Sequence, residues 1–336
     1  VPENLCVATL IGGKNAALDA AFIDGLVQTL NRRGLSGVRA EWLCPGKACD
    51  VFAQRIEETG FYEIIRPITG NRPIDVVVQP VEHRKKNFLL ADMESTIIEQ
   101  ELIDEMAALI ARGDEIRAIT SGGMHGQIPF DESLVSRTKV FAGQPEELLK
   151  RAAATITPTP GAVELIASMK ERSSPCWLVS GGYGYFAEIV ANRLGFDRFF
   201  ANELIVEKGR IAGRIAKPVR NGMSKKEAFD LACLEPGIKP YHILAVGDGA
   251  NDEAMLKACN EFGGLGIAYR AKPCLREAIP HRIDHADLSA LIYAFGFANP
   301  CPSASPSFSQ SSPRQSEDRL SGPRAKGPAS RPSSRP

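Results

Sequence analysis

Short apolar runs that end on small or acidic residues punctuate this chain, and amphipathic stretches separate them. Leu5-Cys6-Val7-Ala8-Thr9-Leu10-Ile11-Gly12-Gly13 reads as a strand ending in glycines. Leu18, Phe22, Ile23, Leu26, Val27 and Leu30 then recur at helical spacing up to a stop at Gly34. Val38-Arg39-Ala40-Glu41-Trp42-Leu43 alternates as a half-buried strand does. An amphipathic stretch around residues 50–59 predicts a second helix, and Ile74-Asp75-Val76-Val77-Val78-Gln79 predicts another strand. This succession predicts a small α+β N-terminal domain over residues 1–82. It carries no cluster of reactive side chains, so its expected role is regulatory, oligomerising (a homodimer) or structural. Arg84-Lys85-Lys86 reads as a solvated turn leading out of it.

The next apolar run, Phe88-Leu89-Leu90-Ala91, ends abruptly on Asp92 and Glu94, followed by Ser95 and Thr96. Ligands of parallel α/β sheets bind at the carboxyl ends of strands, so this reads as a reaction centre. Taken alone, it reads equally well as a cap on the following helix. Residues 97–112 predict a helix with Glu99, Glu101, Asp104 and Glu105 near its start, where the macrodipole favours acids. Residues 113–156 alternate between helix and loop, with Ser121-Gly122-Gly123-Met124 as a break and Pro145 as a helix start. No strong strand pattern occurs between residues 97 and 175, which predicts a helical cap over about residues 103–156. Strand character returns at Cys176-Trp177-Leu178-Val179, ending on Ser180-Gly181-Gly182, and a helix follows from Phe186 to a stop at Gly195. A hairpin is expected within residues 199–216, turning at Lys208-Gly209, then a helix over 224–233. The strand His242-Ile243-Leu244-Ala245-Val246 ends on Gly247-Asp248-Gly249-Ala250-Asn251-Asp252. A helix over 253–258 and an apolar run at 265–268 complete the pattern. Strands alternating with helices predict a mostly parallel sheet.

Composition narrows the picture. The 336 residues are 44% hydrophobic and 24% charged, in the range of ordinary globular chains. Forty Lys and Arg balance forty Asp and Glu, which argues against a nucleic-acid partner. Eight scattered cysteines without a CxxC pair, and only five histidines, indicate neither a zinc site nor a disulfide framework. No run reaches the ~18 apolar residues that cross a bilayer, so no membrane association is expected. The start, Val1-Pro2-Glu3-Asn4, lacks the features of a signal peptide, and the expected location is cytoplasmic. From Asn299 onward Ser, Pro and Arg dominate, and residues 299–336 read as a disordered tail.

Three strand ends thus carry polar groups: Asp92/Glu94, Ser180 and Asp248/Asp252. Carboxylates without neighbouring His or Cys call for a hard cation, and Mg²⁺ fits. Ser180 with the Gly181 and Gly182 amides offers donors for a phosphate, and Lys225 offers positive charge at a helix start. The set fits phosphoryl transfer with Asp92 as nucleophile.

Asp92-x-Glu94-x-Thr96, Ser180-Gly181-Gly182, Lys225 and Gly247-Asp248-Gly249-Ala250-Asn251-Asp252 resemble the four motifs of the haloacid-dehalogenase-type phosphatases. The resemblance covers roughly residues 5–297 and excludes the tail. Within that family the motif strings, the Ile283-Asp284-His285-Ala286-Asp287-Leu288 ending and the small N-terminal domain are similar to the bacterial branch that acts on O-phosphoserine. The resemblance implies a Rossmann-like core with a parallel sheet and helical cap over residues 83–298, preceded by an ACT-like domain. It implies Mg²⁺-dependent hydrolysis of a small-molecule substrate, O-phosphoserine, through an aspartyl-phosphate on Asp92. Glu94 would protonate the leaving serine oxygen and then activate water. Asp92, the Glu94 carbonyl and Asp248 would bind the metal, with Asp252 in support. Ser180, Gly181 and Asn251 would hold the phosphate. Lys225, better matched to the family pattern than its rival Lys226, would neutralise its charge. Glu101 and Arg137 stand at the positions for the substrate ammonium and carboxylate, and Phe130 at one that closes the cap or packs its core.

Two departures from the family pattern stand out. Glu94 replaces the usual Asp, and its extra methylene moves the carboxyl by roughly 1.5 Å, where a ~1 Å misplacement can cost ~100-fold in rate. In the cap, Ser121-Gly122-Gly123-Met124-His125-Gly126 lacks an expected Arg. These departures leave open a related phosphotransferase, a phosphatase for another small phosphomonoester, or a homologue that binds without turnover.

Overall fold

The computed structural model describes residues 5–13, 18–124 and 130–298, with backbone alone at 121–124 and 130. The expected disordered tail, together with His125 and Gly126 of the cap motif, lies outside the described residues, and so does the side chain of Phe130. All described residues fall in one compact unit, Val1–Pro306.

The first elements are β1 (Leu5–Gly12), α1 (Ala20–Arg32), β2 (Ser36–Cys44), β3 (Ala48–Gln54), α2 (Glu58–Thr69) and β4 (Ile74–Pro80). The strands form an antiparallel sheet in the order β2-β3-β1-β4. Asp19 caps α1 by accepting the Phe22 amide at 2.6 Å, and Ile23, Leu26 and Leu30 then face the sheet at helical spacing. Cys6, Ala8 and Leu10 of β1 meet that helical layer, while Ile11 joins the main core on the other side. A strand buried on both faces shows no polar alternation, which is why β1 reads as one apolar run.

The expected helix around residues 50–59 is overturned: residues 50–54 belong to β3, and the helix begins at Glu58. The misleading polar residue is Asp50. It points into the interface beneath the sheet, where Arg84 Nη2 meets its Oδ1 at 2.6 Å and Thr9 Oγ1 donates to it at 2.8 Å. Arg84 also donates to the carbonyls of Tyr293 and Ala294. The turn at 84–86 is therefore solvated only at Lys85. Arg84 and Lys86 are buried, and Lys86 Nζ donates to the carbonyls of His83 and Tyr241. Asp75, also buried, accepts the amides of Asp284, His285 and Ala286 at 2.8–3.2 Å. Polar groups at this depth are tolerable because each finds partners across the interface.

The second sheet has six parallel strands in the order β12-β11-β10-β5-β6-β7. Its central strand is β5 (Phe88–Ala91). Phe88 and Leu90 face one buried layer and Leu89 and Ala91 the other. Next come α3 (Leu102–Leu109), α4 (Gly113–Met124), α5 (Phe130–Lys139) and α6 (Glu147–Ala153), the helices inserted between β5 and the next strand. The chain continues with α7 (Ala162–Glu171), β6 (Cys176–Tyr183), α8 (Gly184–Leu194), β7 (Arg198–Asn202), the hairpin β8 (Leu204–Glu207) and β9 (Arg210–Ile215), and α9 (Gly222–Ala232). The remaining elements are β10 (Ile243–Gly247), α10 (Glu253–Glu261), β11 (Leu265–Tyr269), α11 (Pro273–Ala278), β12 (Arg282–Ile283) and α12 (Ala290–Ala294).

Three helical expectations shift. The helix expected over 97–112 is confined to Leu102–Leu109, because residues 94–101 turn back on themselves, with Ser95 at a positive φ of 55°. The backbone of Ser121–Met124 continues α4 instead of breaking it, and the helix expected to start at Pro145 begins at Glu147. Among the described residues, no helix is long and apolar enough to cross a membrane.

From β5 the chain adds β6 and β7 on one side, then β10, β11 and β12 on the other. The order reverses between β5 and β10, and the crevice at their carboxyl ends is where open α/β sheets take ligands.

Candidate active site

Asp92 follows the last residue of β5, and its amide donates to the Val246 carbonyl of β10 at 2.9 Å. The same edge carries Asp248 immediately after β10 and Ser180 in β6. Asp252 approaches from the turn after β10. Its Oδ2 accepts the Gly249 amide at 3.0 Å, and its side chain lies so close to Gly247 that a Cβ there would fall 2.2 Å from its Cγ. Only glycine fits at 247.

Lys225 joins these carboxylates. The α9 start that presents it is fixed by a reciprocal cap, Asn221 accepting the Met223 and Ser224 amides and Ser224 Oγ accepting the Asn221 amide. Its Nζ lies 2.6 Å from Asp92 Oδ1 and 2.6 Å from Asp252 Oδ1 in a fully buried setting. Its rival Lys226 pairs with Asp230 on the outer face of the helix.

Asp92, Asp248 and Asp252 each offer an oxygen within 4.8 Å of the other two. Burial, then Asp252 and Asp248, hold the Asp92 carboxyl well above its usual range, against the pull of Lys225. Burial likewise raises Asp248, with Asp252 adding and Lys272 opposing. Burial alone would lower Lys225, but Asp252 and Asp92 outweigh it and keep the amine charged. The cluster is short of positive charge, and its all-oxygen donors suit a hard divalent cation such as Mg²⁺.

The Glu94 side chain shows how its extra methylene is housed. Oε1 accepts the Leu102 amide at 2.8 Å in the first turn of α3, where unpaired amides point at an anion. Oε2 rests against Gly182, at which a Cβ would come within 2.6 Å. Burial and Glu101 push the Glu94 carboxyl up to about 8, while the Leu102 amide, Arg137 and Lys225 pull the other way. A carboxyl in that range can give a proton near neutrality and take one back.

Ser180 is buried, and its Oγ accepts the Gly182 amide at 2.9 Å. Asn202 pins the Gly181 carbonyl at 2.9 Å and brackets Arg220 through both of its side-chain atoms. Asn251 lies on the turn that carries Asp252, its backbone against Gly222. On the cap side, Glu101 Oε1 accepts Ser95 Oγ at 2.8 Å and meets Lys272 Nζ at 3.3 Å. Arg137 lies in the last turn of α5, next to Thr138, whose Oγ1 shares a 2.8 Å hydrogen bond with Tyr183 OH at the end of β6. The Arg137 Nε is buried without a hydrogen-bond partner. Glu101 raises the Glu94 carboxyl and Arg137 lowers it, so both charges lie within electrostatic reach of Glu94.

The structure thus brings Asp92, Lys225, Asp248 and Asp252 together at the switch point, sets Glu94 against Gly182 of the Ser180–Gly182 stretch, links Glu101 to Asp248 through Lys272, and carries Asn251 on the Asp252 turn and Arg137 in the last turn of α5. Sequence reasoning missed Asn202, Ser95 and Lys272. The one local signal was the Lys272-Pro273 step, which marks a helix start.

Known proteins fit this arrangement. The sequence model of the haloacid dehalogenase-like hydrolases matches residues 89–257. A phosphoserine phosphatase of Archaeoglobus fulgidus is 39% identical over 220 residues, covering 65% of this chain and 63% of that protein. The chain thus spans less than two thirds of that relative's length. The phosphoserine phosphatase of Methanocaldococcus jannaschii is 36% identical over 209 residues, covering 62% of this chain and 97% of its own. A solved structure of a phospho-aspartyl intermediate analogue of phosphoserine phosphatase superposes with a TM-score of 0.57 at 36% identity, over 62% of this chain and 98% of that one.

Proposed function

Because the chain belongs to the haloacid dehalogenase-like hydrolases, we propose that it hydrolyses O-phospho-L-serine to serine and phosphate in a Mg²⁺-dependent reaction. The observation that carries the substrate choice is the pair Glu101 and Arg137 beside Glu94. One is a carboxylate for an ammonium. The other is a guanidinium whose Nε is buried and unpaired, ready for a planar carboxylate. Together they match the two charged ends of an amino acid.

Asp92 attacks phosphorus in line with the serine oxygen. The P–O ester bond breaks, and Glu94 hands its proton to the departing oxygen. Glu94, now a carboxylate, takes a proton from the water that attacks the aspartyl-phosphate, and Asp92 is released with phosphate. Lys225, Ser180 Oγ and the Gly181 amide hold the phosphoryl oxygens, with Asn251 beside them. Asp92, Asp248 and the Glu94 carbonyl would hold Mg²⁺, with Asp252 behind. Bound there, the cation supplies neutralisation of phosphoryl charge. Residues 1–82 would act as a separate regulatory or dimer-forming domain, residues 83–298 as the catalytic one, and the enzyme would work in the cytoplasm.

The test is phosphate release from O-phospho-L-serine, set beside a panel of small phosphomonoesters, with Mg²⁺ and with EDTA. The expected result is a kcat/KM on phosphoserine well above the rest, lost with EDTA and lost in Asp92→Asn. Turnover confined to other esters would move the substrate, and metal-independent turnover would overturn the site.

A further inference from the structure

Lys272 stands where two jobs of the site meet. Its backbone is fixed: the amide donates to the Asp248 carbonyl at 2.9 Å, and Pro273 begins α11 directly behind it. Its side chain crosses the mouth of the site. Nζ lies 3.1 Å from Asp248 Oδ2 and 3.3 Å from Glu101 Oε1, so one ammonium bridges a metal-ligand candidate and the carboxylate assigned to the substrate ammonium. The two bonds differ in setting from those of Lys225. Lys225 is 2% exposed and locked between Asp92 and Asp252, whereas the Lys272 side chain is 42% exposed on a flexible four-carbon stem.

We propose that Lys272 is an internal counter-cation, a positioning residue that competes with a divalent metal for Asp248 and with the substrate ammonium for Glu101. This inference rests on the reading of the metal and ammonium subsites given above. Four carboxylates, at Asp92, Asp248, Asp252 and Glu101, share two ammonium groups, Lys225 and Lys272. A divalent ion on Asp248 would stand within a few ångströms of Lys272 Nζ, and like charges at that range repel strongly in a half-buried setting. Lys225 has no room to leave. Lys272 does, because water lies on its open side. Freed from Asp248, it keeps Glu101 as its remaining partner until a substrate ammonium replaces it there. Ser95 keeps Glu101 oriented throughout, since its bond to Oε1 does not depend on Lys272. The same arrangement makes Lys272 a specificity element: a substrate with an ammonium replaces it on Glu101, and a substrate without one leaves Glu101 to Lys272.

The decisive measurement is calorimetric titration of Mg²⁺ into metal-free wild type, Lys272→Met and Lys272→Arg. Methionine keeps the length and apolar stem without the charge, and arginine keeps the charge. Lys272→Met is expected to bind Mg²⁺ about two- to fivefold more tightly, the span of a partly exposed ion pair, with Lys272→Arg close to wild type. Equal or weaker binding by Lys272→Met would overturn the proposal, and so would the absence of Mg²⁺ binding by wild type. A second arm compares kcat/KM for O-phospho-L-serine with that for 3-phosphooxypropanoate, which lacks the amino group. The ratio should rise several-fold in Lys272→Met, since the general loss of positive charge affects both esters alike. An unchanged ratio would remove the competition at Glu101. Failure of wild type to hydrolyse phosphoserine would count against the proposed substrate, while the Mg²⁺ titration would still decide the role of Lys272 at Asp248.

Discussion

Replacing Gly182 with alanine perturbs the acid–base residue without touching it chemically. The new Cβ would lie 2.6 Å from Glu94 Oε2 and 3.2 Å from its Cδ, whereas ordinary contact begins near 3.4 Å. The carboxyl must therefore retreat by about 0.8 Å, the difference of 3.4 and 2.6 Å. The obstacle is the far end of a flexible side chain, and Gly182 does not use the left-handed backbone region, so the fold gives way cheaply. Stability should change by less than ~1 kcal/mol, as for most substitutions without cavity or backbone strain. Catalysis should not be so forgiving. A displacement of ~1 Å in a reacting group costs ~100-fold, so kcat should fall by roughly 30- to 100-fold. The assay is steady-state phosphate release beside a thermal melt, repeated in the Glu94→Asp background. The shorter side chain withdraws from the new methyl group, and Gly182→Ala should then cost only a few-fold, a strong coupling between neighbours. A kcat within twofold of wild type for the single variant, or an equal loss in both backgrounds, would refute the placement of Glu94 against Gly182.

Arg137→Ala should raise KM for phosphoserine by at least tenfold, yet leave phosphoethanolamine, which lacks the carboxylate, nearly unaffected; equal losses on both would deny Arg137 its carboxylate role. Asp75→Ala removes the acceptor for three backbone amides at residues 284–286 and should cost about 2–4 kcal/mol, read as a lower denaturation midpoint at unchanged m-value. Burial, and then Lys86, pushes His281 down to about 4 from 6.5. Below pH ~6.5 the unfolded chain takes up a proton that the folded chain refuses, so this residue's contribution to stability is present above that pH and drains away as pH falls toward 4. The stability difference between wild type and His281→Gln should shrink between pH 7 and 5, and parallel curves would show that His281 is not held neutral.

The parts of this molecule legible in its sequence are those whose meaning is local. The run Phe88–Ala91 announces a buried strand because both faces of β5 meet apolar layers, and the carboxylates after it lie at a sheet edge because the strand ends there. The spacing of Ile23, Leu26 and Leu30 likewise needs only the helix period. Lys225 was preferred to Lys226 through the family pattern alone, and the helix gives the physical reason: one position on α9 faces inward and the next outward.

Polar residues whose partners are remote in sequence were the ones that misled. Asp50 disturbed the pattern of β3 and made it resemble an amphipathic helix, since nothing within a few residues says that Arg84 will neutralise it. Arg84 in turn looked like a solvated charge for want of Asp50. A buried ion is costly unless paired, so each residue is improbable alone and reasonable only together. Lys272 is the same case at the active site. It reads as an ordinary residue before Pro273 until the fold sets it between Asp248 and Glu101, the latter 171 positions away. Glu94 completes the argument. Its sequence context marked it as a departure, but whether the extra methylene disables the site depends on Leu102 and Gly182. One supplies an amide at the start of α3, the other leaves out a side chain at the end of β6. Such compensation is invisible to spacing and composition, because it is made by what distant residues offer or omit.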